Sequence, residues 1–215
     1  MKIFALFLSC ILLLGAVMAG CRSNVPQETD GSIVPDDQTH PSTQQTELTV
    51  HTMPMGMAES SSAKALQKIW DLYPEGERFA VYGGAVEQSV ADGPGDLDMS
   101  VTEEITTRYL LPEGQLGMVQ EGASLVHLMN NNIFTAVVFR LTENTDTQGL
   151  AKAWRDSIQG TRWVCGQPDR MLMAQLEDSH ILMAFGSQDA MSAFRGKVAE
   201  AYPTANFLYE EAIVA

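Results

Sequence analysis

Positive charge is scarce in this sequence: 13 Lys and Arg stand against 27 Asp and Glu in 215 residues, a net charge of −14. A surface of that sign repels phosphate backbones and anionic headgroups, which excludes nucleic acid as a partner and direct adsorption of the folded chain to a lipid face. Cysteine is scarcer still. Cys10, Cys21 and Cys165 are too few for a disulfide framework. Aromatic residues are missing altogether between Arg22 and Glu59, where Pro26, Pro35, Pro41 and Pro54 are set among Ser, Thr, Gln and Asp. That stretch carries too little apolar surface to offset the entropy of folding, so it is expected to be a polar tether.

Charge is also absent from Ile3 to Gly20, IFALFLSCILLLGAVMAG, which follows Met1-Lys2 directly. Its 18 residues just suffice to cross a bilayer as a helix. A permanent anchor, a secretory signal and a lipoprotein leader all fit that length. The ending favours the last, because small Ala19 and Gly20 precede Cys21 where an anchor would keep large residues and flanking charge. Val17-Met18-Ala19-Gly20-Cys21 resembles the lipobox of bacterial lipoproteins, with Met18 where that family most often has Leu. The resemblance implies a signal peptide over residues 1–20, diacylglycerol transfer to the Cys21 thiol, and cleavage before it. The mature chain would then sit on the extracytoplasmic face of the cell membrane, held by acyl chains of the palmitate kind on Cys21. Two or three such chains give a lasting hold where one gives marginal binding. With Cys10 removed and Cys21 lipidated, Cys165 has no intramolecular partner.

The tether, residues 21–59, spans about 30 to 35 Å root-mean-square and about 130 Å pulled straight, which holds a domain well off the lipid. Near its end His51, Met53, Met55 and Met57 fall in His-Thr-Met-Pro-Met-Gly-Met. Soft thioethers beside an imidazole suit Cu(I), so the segment is a metal candidate; the plainer reading is an apolar lead-in that packs on the domain. Asp92-Gly-Pro-Gly-Asp96-Leu-Asp98 can attract Ca²⁺ but lacks the glycine and bidentate Glu of a helix-loop-helix calcium site, and reads as a solvated turn. Cys165, in Trp-Val-Cys-Gly, has no His near it in sequence and reads as a small buried hydrophobe. His127 and His180 lie in apolar strands and read as hydrogen-bonded, buried or half-buried histidines. No nucleophile, base and orienting group share a readable spacing, and no cofactor is implied. An enzyme is not expected unless the fold gathers His127, His180 and Cys165 in one pocket.

The periodic patterns lie in residues 60–215. Ser60-Ser61-Ser62 can cap a helix with Ala63, Leu66, Ile69, Trp70 and Tyr73 on one stripe, stopped by Pro74 and Gly76. Phe79–Tyr82 reads as a strand, Thr102 opens a second helix ending before Pro112, and Ser124–Met129 reads as a strand. Ile133–Leu141 is a β-branched and aromatic strand, and Asp146–Gln159 a helix closed by Gly160. Met171–Leu176 and His180–Phe185 make a hairpin, a helix starts at Ser187, and Asn206–Tyr209 is a final strand. Residues 130–215 thus read strand, helix, strand, strand, helix, strand, an α+β chain of the ferredoxin-like, split βαβ type. That type places the first and third strands in the middle and the second and fourth at the edges. Its two helices cover one face, so residues 60–129 are expected to cover the other and the whole of 60–215 to fold as one monomeric domain.

Arg108-Tyr109-Leu110-Leu111, Asn131-Asn132-Ile133-Phe134-Thr135-Ala136-Val137-Val138-Phe139 and the hairpin-helix from Ile181 to Phe194 resemble the uncharacterised lipoprotein family called domain of unknown function 4358. The resemblance is one of hydrophobic pattern and implies no activity, ligand or site. The function expected from the sequence is a non-catalytic binding or scaffold domain displayed in the cell envelope, meeting an envelope protein or wall component. The alternative is a lipoprotein that captures a ligand or metal, through the Met-rich segment or a cleft against the sheet.

Overall fold

The computed structural model describes residues 59–177 and 179–214; Cys21 and the segment with His51, Met53, Met55 and Met57 lie outside them. Helix α1 (Ser61–Trp70) starts where the serine run predicts, with the Ser60 hydroxyl accepting the Ala63 N–H. After it come β1 (Val81–Gly83), β2 (Val90–Ala91), β3 (Gly95–Asp96), α2 (Thr102–Arg108) and β4 (Val119–His127). The second half comprises β5 (Phe134–Leu141), α3 (Thr147–Gln159), β6 (Arg170–Leu176), β7 (His180–Gly186), α4 (Gln188–Ala201) and β8 (Asn206–Ala212). Asp146 and Ser187 cap α3 and α4 through the Gly149 and Ala190 N–H groups. Strand β4 begins five residues before its apolar run, because Gln120, Glu121 and Gly122 interrupt the hydrophobic pattern while pairing with β5 resumes at Glu121 after a register shift at Gln120.

The chain is α+β. Its eight-stranded sheet has the order β2-β1-β4-β5-β7-β6-β8, with β3 added on β4, and every pairing is antiparallel. The ferredoxin-like placement is not observed. The order of elements in the second half is as expected, but β6 lies inside the sheet and β8 pairs with β6 instead of flanking β5. The edge of β5 that β8 would need is taken by β4, joined to it by a short turn and paired from Val119 to Val126.

That displacement also moves a helix. Strands β5 and β6 run parallel with β7 between them, and β7 and β8 run parallel with β6 between them. Both crossovers step toward the same edge from strands of opposite direction, so right-handed connections put their helices on opposite faces. Helix α4 packs beside α1, where Leu66, Ile69, Phe194 and Val198 meet Leu125, Phe134 and Leu182. Helix α3 packs beside α2 on the other face, where Ile105, Leu150 and Trp154 meet Val137, Phe139 and Met183. Residues 60–129 therefore cover part of both faces and widen the sheet, instead of covering one face alone.

Glycine permits the tightest approach in this extension. A Cβ on Gly83 would stand 2.3 Å from the Gly95 nitrogen and 2.3 Å from the Ser124 oxygen, so β1 and β3 can share the neighbourhood of β4 only without a side chain there.

Candidate functional site

The register gathers the His127 end of β4 with the start of β1, the start of β5 and the last residue of β7. Under the chain that leaves α1, and beside the first turns of α4, lies a hollow of about 430 Å³ lined by Tyr73, Glu77, Phe79, His127, Ile133, Ala190 and Ala193. It is open to solvent, and its lining is mostly apolar with a few polar groups.

Its walls are held by rings. Phe79 stacks on the His127 imidazole, centroids 5.7 Å apart and 24° between planes, and meets Trp70 and Phe134 edge-on at 5.5 and 5.2 Å. His127 Nδ1 accepts the N–H groups of Met129 at 3.2 Å and Asn130 at 3.3 Å. A ring nitrogen that accepts carries no proton, so in the neutral imidazole Nε2 is the donor. Tyr73 is only 4% exposed, and its hydroxyl has no hydrogen-bond partner. Burial first, and the nearby Glu77 carboxylate second, push its phenol well above the ordinary tyrosine range, so the group is a neutral donor. Leaving such a hydroxyl buried and unpaired costs about 1 to 3 kcal/mol.

Apolar side chains stand exposed around the same end of the domain: Leu128 at 54%, Met129 at 82%, Ile133 at 39% and Val164 at 75%. The Asn132 amide donates to the carbonyls of Val164 at 2.9 Å and Gly166 at 2.5 Å, which ties the loop after α3 to the turn between β4 and β5. Cys165 rides on that loop. It is exposed, with a left-handed backbone at φ 64°, so the expectation of a small buried hydrophobe is overturned: the loop turns on Cys165 and Gly166 and carries the thiol outward.

No family model, curated protein or solved structure matches this chain. Its site therefore rests on geometry. His127 and His180 do not meet, because the register sets them at opposite ends of the sheet. His180 is buried and hydrogen-bonded, and His127 is half-buried. The carboxylates of the acidic turn go to separate partners: Asp96 takes the Ser60 N–H and hydroxyl, and Asp98 takes the N–H and hydroxyl of Ser100, bonds that hold its carboxyl below the ordinary range. Among the described residues no group of three His, Cys, Asp or Glu gathers as a metal site, and no helix is long and apolar enough to cross a membrane. Tyr73 and Phe79 were not singled out by sequence as site residues. Both look like ordinary members of an apolar pattern, and only the fold reveals that one hydroxyl is left without a partner.

Proposed function

We propose that this protein is a lipid-anchored extracytoplasmic binding domain, and that the hollow between Tyr73, Phe79 and His127 seats an apolar side chain of an envelope protein. The observation that carries the reading is the ring-walled, mostly apolar hollow itself, lined by Tyr73, Phe79 and His127. Phe79, Ile133, Ala190 and Ala193 make most of the lining, so the favoured guest is an apolar group. The exposed Leu128, Met129, Ile133 and Val164 around that end favour a polypeptide partner over a free small molecule, since they extend the apolar contact beyond what a small guest covers. The anchor rests on Val17-Met18-Ala19-Gly20-Cys21. The chain enters the domain through Ser60 and Ser61, bonded to Asp96 and Glu121 and to His180 at the far end of the sheet, so attachment there is remote from the hollow.

Labelled palmitate is expected to enter the wild type and not Cys21→Ser; equal labelling removes the anchor from the proposal. For the hollow, a photocrosslinking residue in place of Met129 in the membrane-held chain is expected to trap one discrete envelope protein, and Leu128→Asp to abolish the adduct. The same adduct from a crosslinker placed at Lys64, or its persistence in Leu128→Asp, removes this surface as the seat.

A further inference from the structure

At the end of the sheet remote from the hollow, Glu121 of β4, Arg140 of β5 and His180 of β7 are successive cross-strand partners, which puts their side chains in one row on the face that α1 covers. Ser61, in the first turn of α1, stands over this row. Its Oγ lies 2.8 Å from His180 Nε2 and donates to Glu121 Oε1. His180 Nδ1 lies 3.1 Å from the Glu177 carbonyl oxygen. A carbonyl can only accept, so Nδ1 carries the proton, and in the neutral ring Nε2 turns its lone pair on Ser61. The single Ser61 proton can serve Glu121 or His180 but not both.

Seating α1 does not need the Ser61–His180 contact. Ser60 already caps the Ala63 N–H, and Glu121 already takes the N–H of Ser62 at 2.9 Å, its hydroxyl at 3.3 Å and an ion pair with Arg140 at 3.1 Å. Ser61 is exposed while His180 is 4% exposed, so the hydroxyl meets solvent and the base behind it is shielded. Beside the pair is a hollow of about 270 Å³ lined by Ser61, Lys64, Lys68, Glu177, His180 and Tyr202, with Ala65 below. Lys64 lies one helical turn after Ser61 on the same face, and Lys68 one turn further. Lys64 and Lys68 thus set two ammonium groups beside the Glu177 carboxylate, Lys68 over the Tyr202 ring at 4.1 Å. The Glu177 carboxylate there is engaged by the Thr204 hydroxyl at 2.8 Å.

We propose that Ser61 is a nucleophile with His180 as its general base, acting on acyl esters that carry an anionic group near the scissile bond. In the first step Ser61 Oγ bonds to the acyl carbon and its proton passes to His180 Nε2. The bond from that carbon to the alcohol oxygen breaks as His180 gives the proton to the leaving alcohol. In the second step a water attacks the acyl carbon, losing a proton to His180. The acyl–Oγ bond breaks, the proton returns to Ser61, and a carboxylic acid leaves. The Glu177 carbonyl fixes the ring, and the Lys64 and Lys68 ammonium groups attract the anion. This site is separate from the hollow at the other end of the sheet, so either reading can fail alone.

The test uses the full chain held in detergent and a fluorophosphonate probe, with the modified residue read by peptide mass spectrometry. The adduct is expected on Ser61 and not on Ser60 or Ser62. Labelling should vanish in Ser61→Ala and slow by about 100-fold or more in His180→Gln, the scale of a lost general base. No adduct on the wild type, an adduct spread evenly over the three serines, or an undiminished rate in a folded His180→Gln overturns the proposal. Should His180→Gln melt early, the wild-type peptide map decides by itself. For the substrate class, the succinate half-ester of p-nitrophenol is expected to turn over faster than p-nitrophenyl acetate, and Lys64→Ala with Lys68→Ala to erase the preference. A slower half-ester overturns the anionic class.

Discussion

Trp154 on α3 donates its indole N–H to the Tyr109 carbonyl, just past α2, at 2.7 Å in a fully buried contact. The Tyr109 hydroxyl donates in turn to Ser124 Oγ at 2.9 Å, which also receives the Gly84 N–H at 3.0 Å. One line of bonds thus joins the second half of the chain to α2, β4 and the end of β1. Burial is the main reason the Tyr109 phenol is pushed up to about 12, so it stays a neutral donor throughout the working range. Trp154→Phe is expected to lose about 2 to 4 kcal/mol in urea unfolding, from the cavity and the unpaired carbonyl together.

The same connection bears on truncation. Residues 60–215 are expected to melt as one cooperative monomer, whereas residues 130–215 alone would bare the β5 edge and the apolar sheet surface under α1 and α2, and aggregate. A thermal melt followed by light scattering compares the two. A monomeric 130–215 that melts as sharply would make the first half a separate body.

Gly83→Ala should be among the most damaging small substitutions, because the atoms its Cβ meets at 2.3 Å are backbone and cannot turn aside. A loss of about 1 to 3 kcal/mol or more is expected. Gly114→Ala, with nothing within 4 Å, is the control, expected within about 0.5 kcal/mol of wild type in the same denaturant series.

Glu121 predicts an acid-side dependence. Burial opposes its ionisation, yet bonds from Ser61 and Ser62 and the Arg140 charge outweigh burial and hold the carboxyl below its ordinary 4.5. A lowered folded value means stability that is present above the unfolded value and is lost as pH falls through the folded one. Glu121→Gln should therefore be about 1 to 2 kcal/mol less stable at neutral pH, with the gap closing as pH drops below about 4.5. A gap that stays constant from pH 7 to 3 in urea titrations would contradict this account of Glu121.

Leu128→Asp and Met129→Asp should leave the melting curve nearly unchanged, within about 0.5 kcal/mol, since both side chains already face water. Loss of the crosslinked partner in a variant that melts normally separates a docking role from a structural one.

The elements themselves were legible. Ser60 caps the helix that the serine run was expected to cap, the helices read as starting at Asp146 and Ser187 begin one residue later with those residues as caps, and the strands at residues 134–141, 170–176 and 180–186 lie within a residue or so of their apolar runs. Those signals are local: a cap speaks to a backbone three residues away, and a period to the next turn. The two-residue strands β2 and β3 had no such pattern, and β4 was shortened in the reading because Glu121 and Gly122 interrupt its hydrophobic run.

By itself, then, the sequence determined the charge, the mixed α+β character, the order of the longer strands and helices and the lipobox-like ending at Cys21. Which strand lies beside which was decided only in three dimensions. Strand β4 holds the edge of β5, so β8 goes to β6 and α4 to the face opposite α3. Register then puts Glu121, Arg140 and His180 in one row and parts His180 from His127. It also leaves the Tyr73 hydroxyl without a hydrogen-bond partner and Cys165 facing outward. The physical reason is competition for shared edges and faces: a local pattern states what a segment can bury, and only the other segments determine where.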